Sequence, residues 1–406
     1  MKRRLLFLVC VIVLLAVYFI LYHKNKELKY IPDGADAVVL IDVKNFTRKY
    51  LSETVLHPSV WLKEGDKKAG ISWKDAGIKI PDFVQLFHLK NEGFSNWYMV
   101  LEIKNRKEFE SFLKDQNFQT KGNSLYTNGN IFLKINGEIC IAGTSQRSFE
   151  TIESSLKSNK ILWNADDFMT DGIGSLGIIN GKNRENYSIH LNDENIEISN
   201  FTDFKKAETA FSQNINQTDF LTAQLEQKNI QTFSNLFKTE IFSHPEINSV
   251  EMNADLKQIT DTIISYDYDD NFNEVEKVSY QKIVQPQYLI QIKTKNSDEV
   301  WNYFEQKKFI SPQNQFTAIP FLPNKISRDE NGILINTVNH PKIKKSSEAN
   351  FILIKNNPLL LSSFKSLSPK ITKKVRELES VLYWNDKKQT LVRFQFKSGN
   401  LPLILR

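Results

Sequence analysis

Two stretches of the chain carry the same instruction. LEIKNRKEFESFL (Leu101–Leu113) and IKTKNSDEVWNYF (Ile292–Phe304) each run from an alternating apolar pattern into Asn, then Glu three residues on, then large apolar residues at helical spacing. Met99, Leu101 and Ile103 in the first copy, and Ile290 and Ile292 in the second, show the period of a half-buried strand. Asn105 and Asn296 then predict helix N-caps, with Glu108 and Glu299 reaching back to the cap amide as in a capping box. Phe109, Phe112 and Leu113, and later Val300, Tyr303 and Phe304, fall on one helical stripe. A chain patterned this way folds as strand–helix modules whose apolar stripes need a sheet to cover.

Other pieces match in the same order. NFTRKYLSETVLHPSV (Asn45–Val60) corresponds to TFSNLFKTEIFSHPEI (Thr232–Ile247), pairing His57-Pro58 with His244-Pro245. The turn at Asn128-Gly129 before IFLKI corresponds to Asn331-Gly332 before ILINTV, and Asn-Gly tolerates the positive φ of a tight turn. GEICIAGTSQRSFETIESSL corresponds to ANFILIKNNPLLLSSFKSL, and the hairpins expected at Asn192-Asp193 and Asn385-Asp386 correspond to each other. The expectation is a tandem duplication, with units at 30–205 and 206–406, each an α+β assembly of largely antiparallel sheet with helices on one face. In the second unit SVEMNADL, TDTIISYDY, VEKVSYQKI and QYLIQIK predict a meander. Spacing leaves open whether the two sheets form separate domains or join. Near the C-terminus, LSPKITKKVRELESVL predicts a helix capped by Ser368, with Ile371, Val375, Leu378 and Leu382 along one side.

Ahead of this body, LLFLVCVIVLLAVYFILY (Leu5–Tyr22) contains no charge. As a helix it would be roughly 27 Å long, close to the hydrocarbon thickness of a bilayer. No small residue stands where signal cleavage would need one, so residues 1–29 predict an uncleaved membrane anchor. The short basic N-terminus then places residues 30–406 outside the cytoplasm of a bacterial inner membrane, in the periplasm. Most of the formal charge of +6 is also here: Lys2, Arg3, Arg4, Lys24, Lys26 and Lys29 against Glu27 give +5. A body near neutrality argues against a nucleic-acid partner, which needs concentrated positive charge. Local basic clusters at Lys342, Lys344 and Lys345, and at Lys370, Lys373, Lys374 and Arg376, read as solvated faces.

The entry into the body, YIPDGADAVVLIDVKNF (Tyr30–Phe46), resembles the opening of uncharacterised bacterial cell-envelope proteins. These carry an N-terminal anchor or lipid, an IP-x-x-A-x-x-V entry into the first strand, and a body of α+β repeats. The resemblance implies location and fold and carries no activity.

Motifs for chemistry are incomplete. GIGSLG (Gly172–Gly177) has the letters of a dinucleotide loop, but the following IINGKNREN interrupts the helix such a loop must open. DYDDNFNEVEKV, from Asp267, resembles a calcium loop at Asp267, Asp269 and Asn271, but has Phe272 and Val278 where glycine and glutamate belong; it reads as a hairpin tip. The cysteines, Cys10 and Cys140, support no disulfide framework or multi-cysteine zinc site. Of six histidines, His57, His244 and His340 precede proline and none forms an H-x-x-x-H pair. Asp166-Asp167 and Asp269-Asp270 lie in loop-like stretches without a sign of desolvation. No catalytic, cofactor-binding or metal residue is assigned, and no cofactor is expected. The expected role is non-catalytic partner binding or scaffolding in the envelope, with the bilayer and a protein as partners. The alternatives are a carrier of lipid or another hydrophobic ligand, and a hydrolase with dispersed catalytic residues.

Overall fold

The computed structural model describes residues 18, 21–56, 76–122, 124–158, 163–181, 183–215, 219–268, 272–319, 324–330, 332–337, 350–363 and 375–397. The chain divides into two compact units whose main spans are Met1–Leu191 and Asn192–Ile404.

The first unit contains β1 (Glu27–Leu28), β2 (Ala35–Asp42), α1 (Val43–Leu56), β3 (Phe83–Leu89), β4 (Trp97–Glu102), α2 (Arg106–Asp115), β5 (Gln119–Thr120), β6 (Leu125–Asn128), β7 (Ile131–Asn136), β8 (Ile139–Gly143), α3 (Phe149–Ser158), β9 (Trp163–Asn164), β10 (Gly174–Asn180) and β11 (Asn183–Leu191). Its strands pair in the order β11–β10–β2–β3–β4–β8–β7–β6–β5, every pair antiparallel. β1 and β9 form a separate short ribbon. Helices lie on both faces of this sheet, and β8 shows why. Ile141 packs with Phe149 and Ile152 of α3, whereas its neighbours Cys140 and Ala142 pack with Phe109, Phe112 and Leu113 of α2. Successive strand residues point to opposite faces, so an almost wholly apolar strand such as ICIAG needs cover on both.

The second unit contains β12 (Asn195–Ser199), α4 (Lys205–Ile215), β13 (Leu221–Glu226), α5 (Gln227–Phe237), β14 (Ile247–Tyr268), β15 (Glu274–Thr294), α6 (Ser297–Gln306), β16 (Asn324–Asp329), β17 (Gly332–Thr337), β18 (Asn350–Lys355), α7 (Pro358–Ser363), β19 (Leu378–Asp386) and β20 (Gln389–Phe396). The order is β12–β20–β19–β18–β13–β14–β15–β17–β16, again antiparallel throughout. One core joins Val250, Ile290 and Ile292 of the sheet to Val300 and Phe304 of α6, with Phe316 against Phe304 at 5.5 Å between ring centroids. A second joins Ala207 of α4 to Phe351, Leu382, Trp384 and Leu391.

Several expectations are corrected. The protein is mostly antiparallel sheet, 49% strand against 21% helix, rather than an α+β body with helices on one face. The expected meander is one hairpin: SVEMNADL and TDTIISYDY are continuous in the 22-residue β14, and VEKVSYQKI and QYLIQIK in the 21-residue β15. Nothing between those segments turns the chain. Pro286 is tolerated because β17 pairs with β15 only from Leu289 to Lys293, which leaves the outer edge of β15 open at the proline. The expected C-terminal helix is also partly wrong, since Leu378 and Leu382 lie in β19. There the alternation of buried Ser380, Leu382 and Trp384 prevails. Its start, Ser368 to Lys374, falls outside the described residues.

The matched corners occupy different places. Asn128-Gly129 joins β6 to β7, and β8 separates β7 from β4. Gly332, whose Asn331 is not among the described residues, opens β17 directly beside β15. Likewise β8 lies between β4 and β7, whereas its supposed counterpart β18 lies between β13 and β19. Judged by pairing, β2–β3–β4–β8–β7 follows the same succession as β13–β14–β15–β17–β16.

Membrane placement is corrected as well. Of Leu5–Tyr22, only Tyr18, Leu21 and Tyr22 are among the described residues. Among the described residues no helix is long and apolar enough to cross a membrane, so a single-pass inner-membrane protein with a periplasmic body is not supported.

The two N-caps form, but without reciprocal boxes. Asn105 Oδ1 accepts from the amides of Lys107 and Glu108, and Asn296 Oδ1 from that of Glu299. The cap amides are already used: Asn105 N–H donates to Gly77 O at 2.9 Å and Asn296 N–H to Thr294 Oγ1 at 3.1 Å. Gly77 is required there. Its φ is +68°, and a Cβ would stand 2.4 Å from Asn105 O and 2.6 Å from Phe109 N.

A buried ion pair crosses β12 and β20. Glu197 and Arg393 are direct cross-strand partners; Arg393 Nε donates to Glu197 Oε1 at 2.7 Å, and Asn192 Nδ2 donates to Glu197 Oε2 at 3.0 Å.

Two stability outcomes follow for equilibrium urea unfolding. Gly77→Ala loses at least about 2 kcal/mol, because both the φ and the backbone clash oppose it; a loss under about 0.5 kcal/mol would show that the α2 cap does not depend on that approach. Arg393→Met loses about 3–5 kcal/mol by stranding the Glu197 charge, and adding Glu197→Met restores most of it. A double variant as unstable as the single would mean that Arg393 acts through its packing instead.

Candidate functional site

Structure removes the tempting motifs. Gly172 has φ +81° and Gly174 begins strand β10, so no helix N-terminus follows GIGSLG to receive a phosphate. In the calcium-like stretch, Asp267 is in β14 and Val275 to Val278 are in β15; Asp269, Asp270 and Asn271 are outside the described residues. Asp166 and Asp167 sit in a 3-10 turn capped by Asn164, where Asp166 pairs with Lys26 and Asp167 with Arg184. His244 Nδ1 accepts from the Glu246 amide, and His88 is held by Asp36 at 2.6 Å and Gly93 O at 3.1 Å. His57, His340, Cys10, Lys342, Lys344, Lys345, Lys370, Lys373 and Lys374 lie outside the described residues. Cys140 is buried, and burial pushes its thiol up to about 12, away from reactivity. Among the described residues no group of three or more His, Cys, Asp or Glu could hold a metal ion.

One charged cluster remains, in a cleft of about 190 Å³ in the first unit. Tyr30, which follows β1, donates its hydroxyl to Glu102 Oε1 at 2.7 Å, and Lys79 Nζ reaches Glu102 Oε2 at 2.7 Å. The hydrogen bonds from Lys79 and Tyr30 hold the Glu102 carboxyl below its ordinary range, against the opposing effect of burial. Burial first, then the Glu102 bond and charge, raise the Tyr30 hydroxyl; Glu102 raises Lys79. Every member is thus fixed further in its usual charge state. None is moved toward neutrality, where a general acid or base operates best. The cleft is also smaller than the roughly 300–1,000 Å³ of small-molecule sites, and its charged lining does not suit an acyl chain. It reads as a strut tying the chain after β1 to β4.

A different feature stands out in the second unit. β13 pairs with β14 only through Ala254, and β17 with β15 only from Leu289, yet β14 and β15 remain paired out to Tyr268 and Glu274. Beyond Leu256–Pro286 the hairpin is an arm that pairs with no other strand among the described residues. Period-two alternation divides it into two faces. One carries Ile264 with Val278, Thr262 with Tyr280, Tyr266 with Glu276 and Tyr268 with Glu274 as cross-strand pairs; the other mixes Asp261 with Gln281 and Ser265 with Lys277 with the apolar Ile259–Ile283 pair, Ile263 and Val275. The first face gathers the tyrosines, and among the described residues they stand exposed. Tyr266, Tyr268 and Tyr280 are 64%, 67% and 72% exposed, and Phe272 at the tip is 87% exposed with φ +61°. Monomeric proteins rarely leave such a face open.

Sequence reading had the alternation of TDTIISYDY and VEKVSYQKI and the hairpin tip. It missed that these strands outrun their neighbours, because no residue within a strand reports where the next strand ends.

Comparison of the chain with protein-family models, with curated proteins and with solved structures gives no significant match.

The acid behaviour of the Glu102 cluster has a defined sign. A carboxyl lowered by folding stabilises the fold above its ordinary value of 4.5, and that contribution is lost as pH falls through the folded value. In Glu102→Gln, urea midpoints measured below pH 4.5 should therefore fall less steeply with pH than in the wild type. Identical slopes would remove Glu102 from the acid sensitivity.

Proposed function

We propose that the protein is a non-catalytic binding protein that docks a protein partner through the β14–β15 arm. One observation carries the reading: a two-stranded ribbon, extended past its own sheet, with three exposed tyrosines, Tyr266, Tyr268 and Tyr280, on a single face. Tyrosine supplies large contact area at low entropic cost and is enriched where partners meet. Catalysis draws no comparable support, since the Tyr30–Glu102–Lys79 cluster holds its protons away from neutral pH. The carrier alternative draws none either, because the cleft beside that cluster is small and charged.

The test is site-specific photocrosslinking in cells expressing the full chain. A benzoylphenylalanine in place of Tyr280 should give a discrete protein adduct. The same group in place of Ile131, which is 49% exposed on β7, serves as the control. Equal labelling at the two positions, or none at Tyr280, would overturn the arm as the docking element.

A further inference from the structure

We infer that the partner seated on the arm is a second copy of this chain, its arm lying face to face and antiparallel on the first. This inference rests on the arm being the docking element and adds the identity and register of the occupant.

The charge pattern selects the arrangement. On the tyrosine face the distal carboxylates are Glu274 and Glu276, and the amine of Lys282 lies nearer the base, paired with Thr260. All three are on β15. A two-fold axis crossing the ribbon at the Thr262–Tyr280 pair places β15 over β15 in reverse direction. Tyr280 then meets its own copy. Glu276 falls over Val284 of the second arm, one same-face step from that arm's Lys282. The step is about 7 Å at roughly 3.4 Å per residue, within reach of a lysine stem. Parallel stacking would instead lay β15 over the partner's β14, setting Glu276 over Tyr266, Glu274 over Tyr268 and Lys282 over Thr260, so that no carboxylate meets an amine. Antiparallel packing also lays Tyr268 against Leu256 and Tyr266 against Gln258, so the apolar rings cover the base of the partner arm.

Area sets the strength. Twelve residue steps from Leu256 to Tyr268 span about 41 Å, and two strands are about 10 Å wide, which gives about 400 Å² of face per arm. About 800 Å² for the pair is below the roughly 1,200–2,000 Å² of stable complexes. The dimer is therefore weak and concentration-dependent, with a dissociation constant on the order of 10 μM and marked weakening by salt.

Sedimentation equilibrium of the purified full chain, from about 1 to 200 μM, reads this directly. The wild type should shift from monomer toward dimer, and the constant should rise several-fold between low and high salt. Glu276→Lys and Lys282→Glu should each weaken self-association at least about tenfold, because each sets like charges in both symmetric contacts. Mixed in equal amounts, the two variants should associate with each other about as tightly as the wild type does, since both contacts become opposite in sign again. Unchanged spectra and melting exclude misfolding as the cause. A chain monomeric at 200 μM, variants that dimerise like the wild type, or a mixture no tighter than its components would overturn the inference. A Tyr280 adduct with the mass of another protein would sink the self-pairing while sparing the arm as a docking element; no adduct above the Ile131 control would sink both.

Discussion

The second unit depends on the ladder between β14 and β15. Its inner half, from Val250 to Ala254 and from Tyr288 to Ile292, is buried among the side chains of α6, β16 and β17. Its outer half has no sheet neighbour among the described residues. A two-stranded hairpin alone is marginal in water, so the outer half is held in register by the continuity of the inner half rather than by its own contacts. The same backbone pattern therefore serves two purposes. Where α6 covers it, alternation makes a core; where the described side chains stand exposed, alternation makes a presenting face. Toward the tip one face carries Tyr266, Tyr268 and Tyr280, amphipathic rings that tolerate water until a partner arrives.

How much of this is legible in sequence depends on the range of the interaction. The caps Asn105 and Asn296 are visible because a cap and its helix lie within three residues of one another. The failed box at Asn105 is not, because the group that occupies its amide is Gly77, 28 positions upstream, whereas at Asn296 the competitor is the hydroxyl of Thr294, two residues away. Strand periodicity is equally local, and it identified β4, β14 and β15 as strands. It overreached in the opposite direction in LSPKITKKVRELESVL, where a helical spacing of four apolar residues coexisted with the period-two pattern of Ser380, Leu382 and Trp384. The sheet settled the ambiguity through pairing with β18 and β20.

Corner matching failed for a related reason. Asn-Gly specifies the shape of a turn and says nothing about which strand lies beside it. The corner at Asn128-Gly129 belongs to a hairpin separated from β4 by β8, whereas Gly332 packs its backbone against Ile292 O so closely that a Cβ would stand 1.9 Å away. Two similar dipeptides thus serve different needs: a solvent-facing reversal in one unit and a contact between adjacent strands in the other. Of the candidate site, only the material was readable, namely the tyrosines and the alternating strands. Exposure is a relation between strand lengths, set by where β13 and β17 stop.

An arm that pairs with no other strand among the described residues also carries a risk, and its charges bear on how that risk is met. Exposed edges invite ladder extension, which repeats without closing and leads to fibres. Charges interrupt the outer strands at short intervals: Asp261 and Asp267 on β14, Glu274, Glu276, Lys277 and Lys282 on β15. Charged side chains along an exposed edge are a device by which such ladder extension is opposed. Face-to-face contact about a two-fold axis closes after two copies, covers the tyrosines, and leaves the face with Asp261, Asp267 and Lys277 in water. The distribution of charge therefore opposes the open-ended association and permits the closed one.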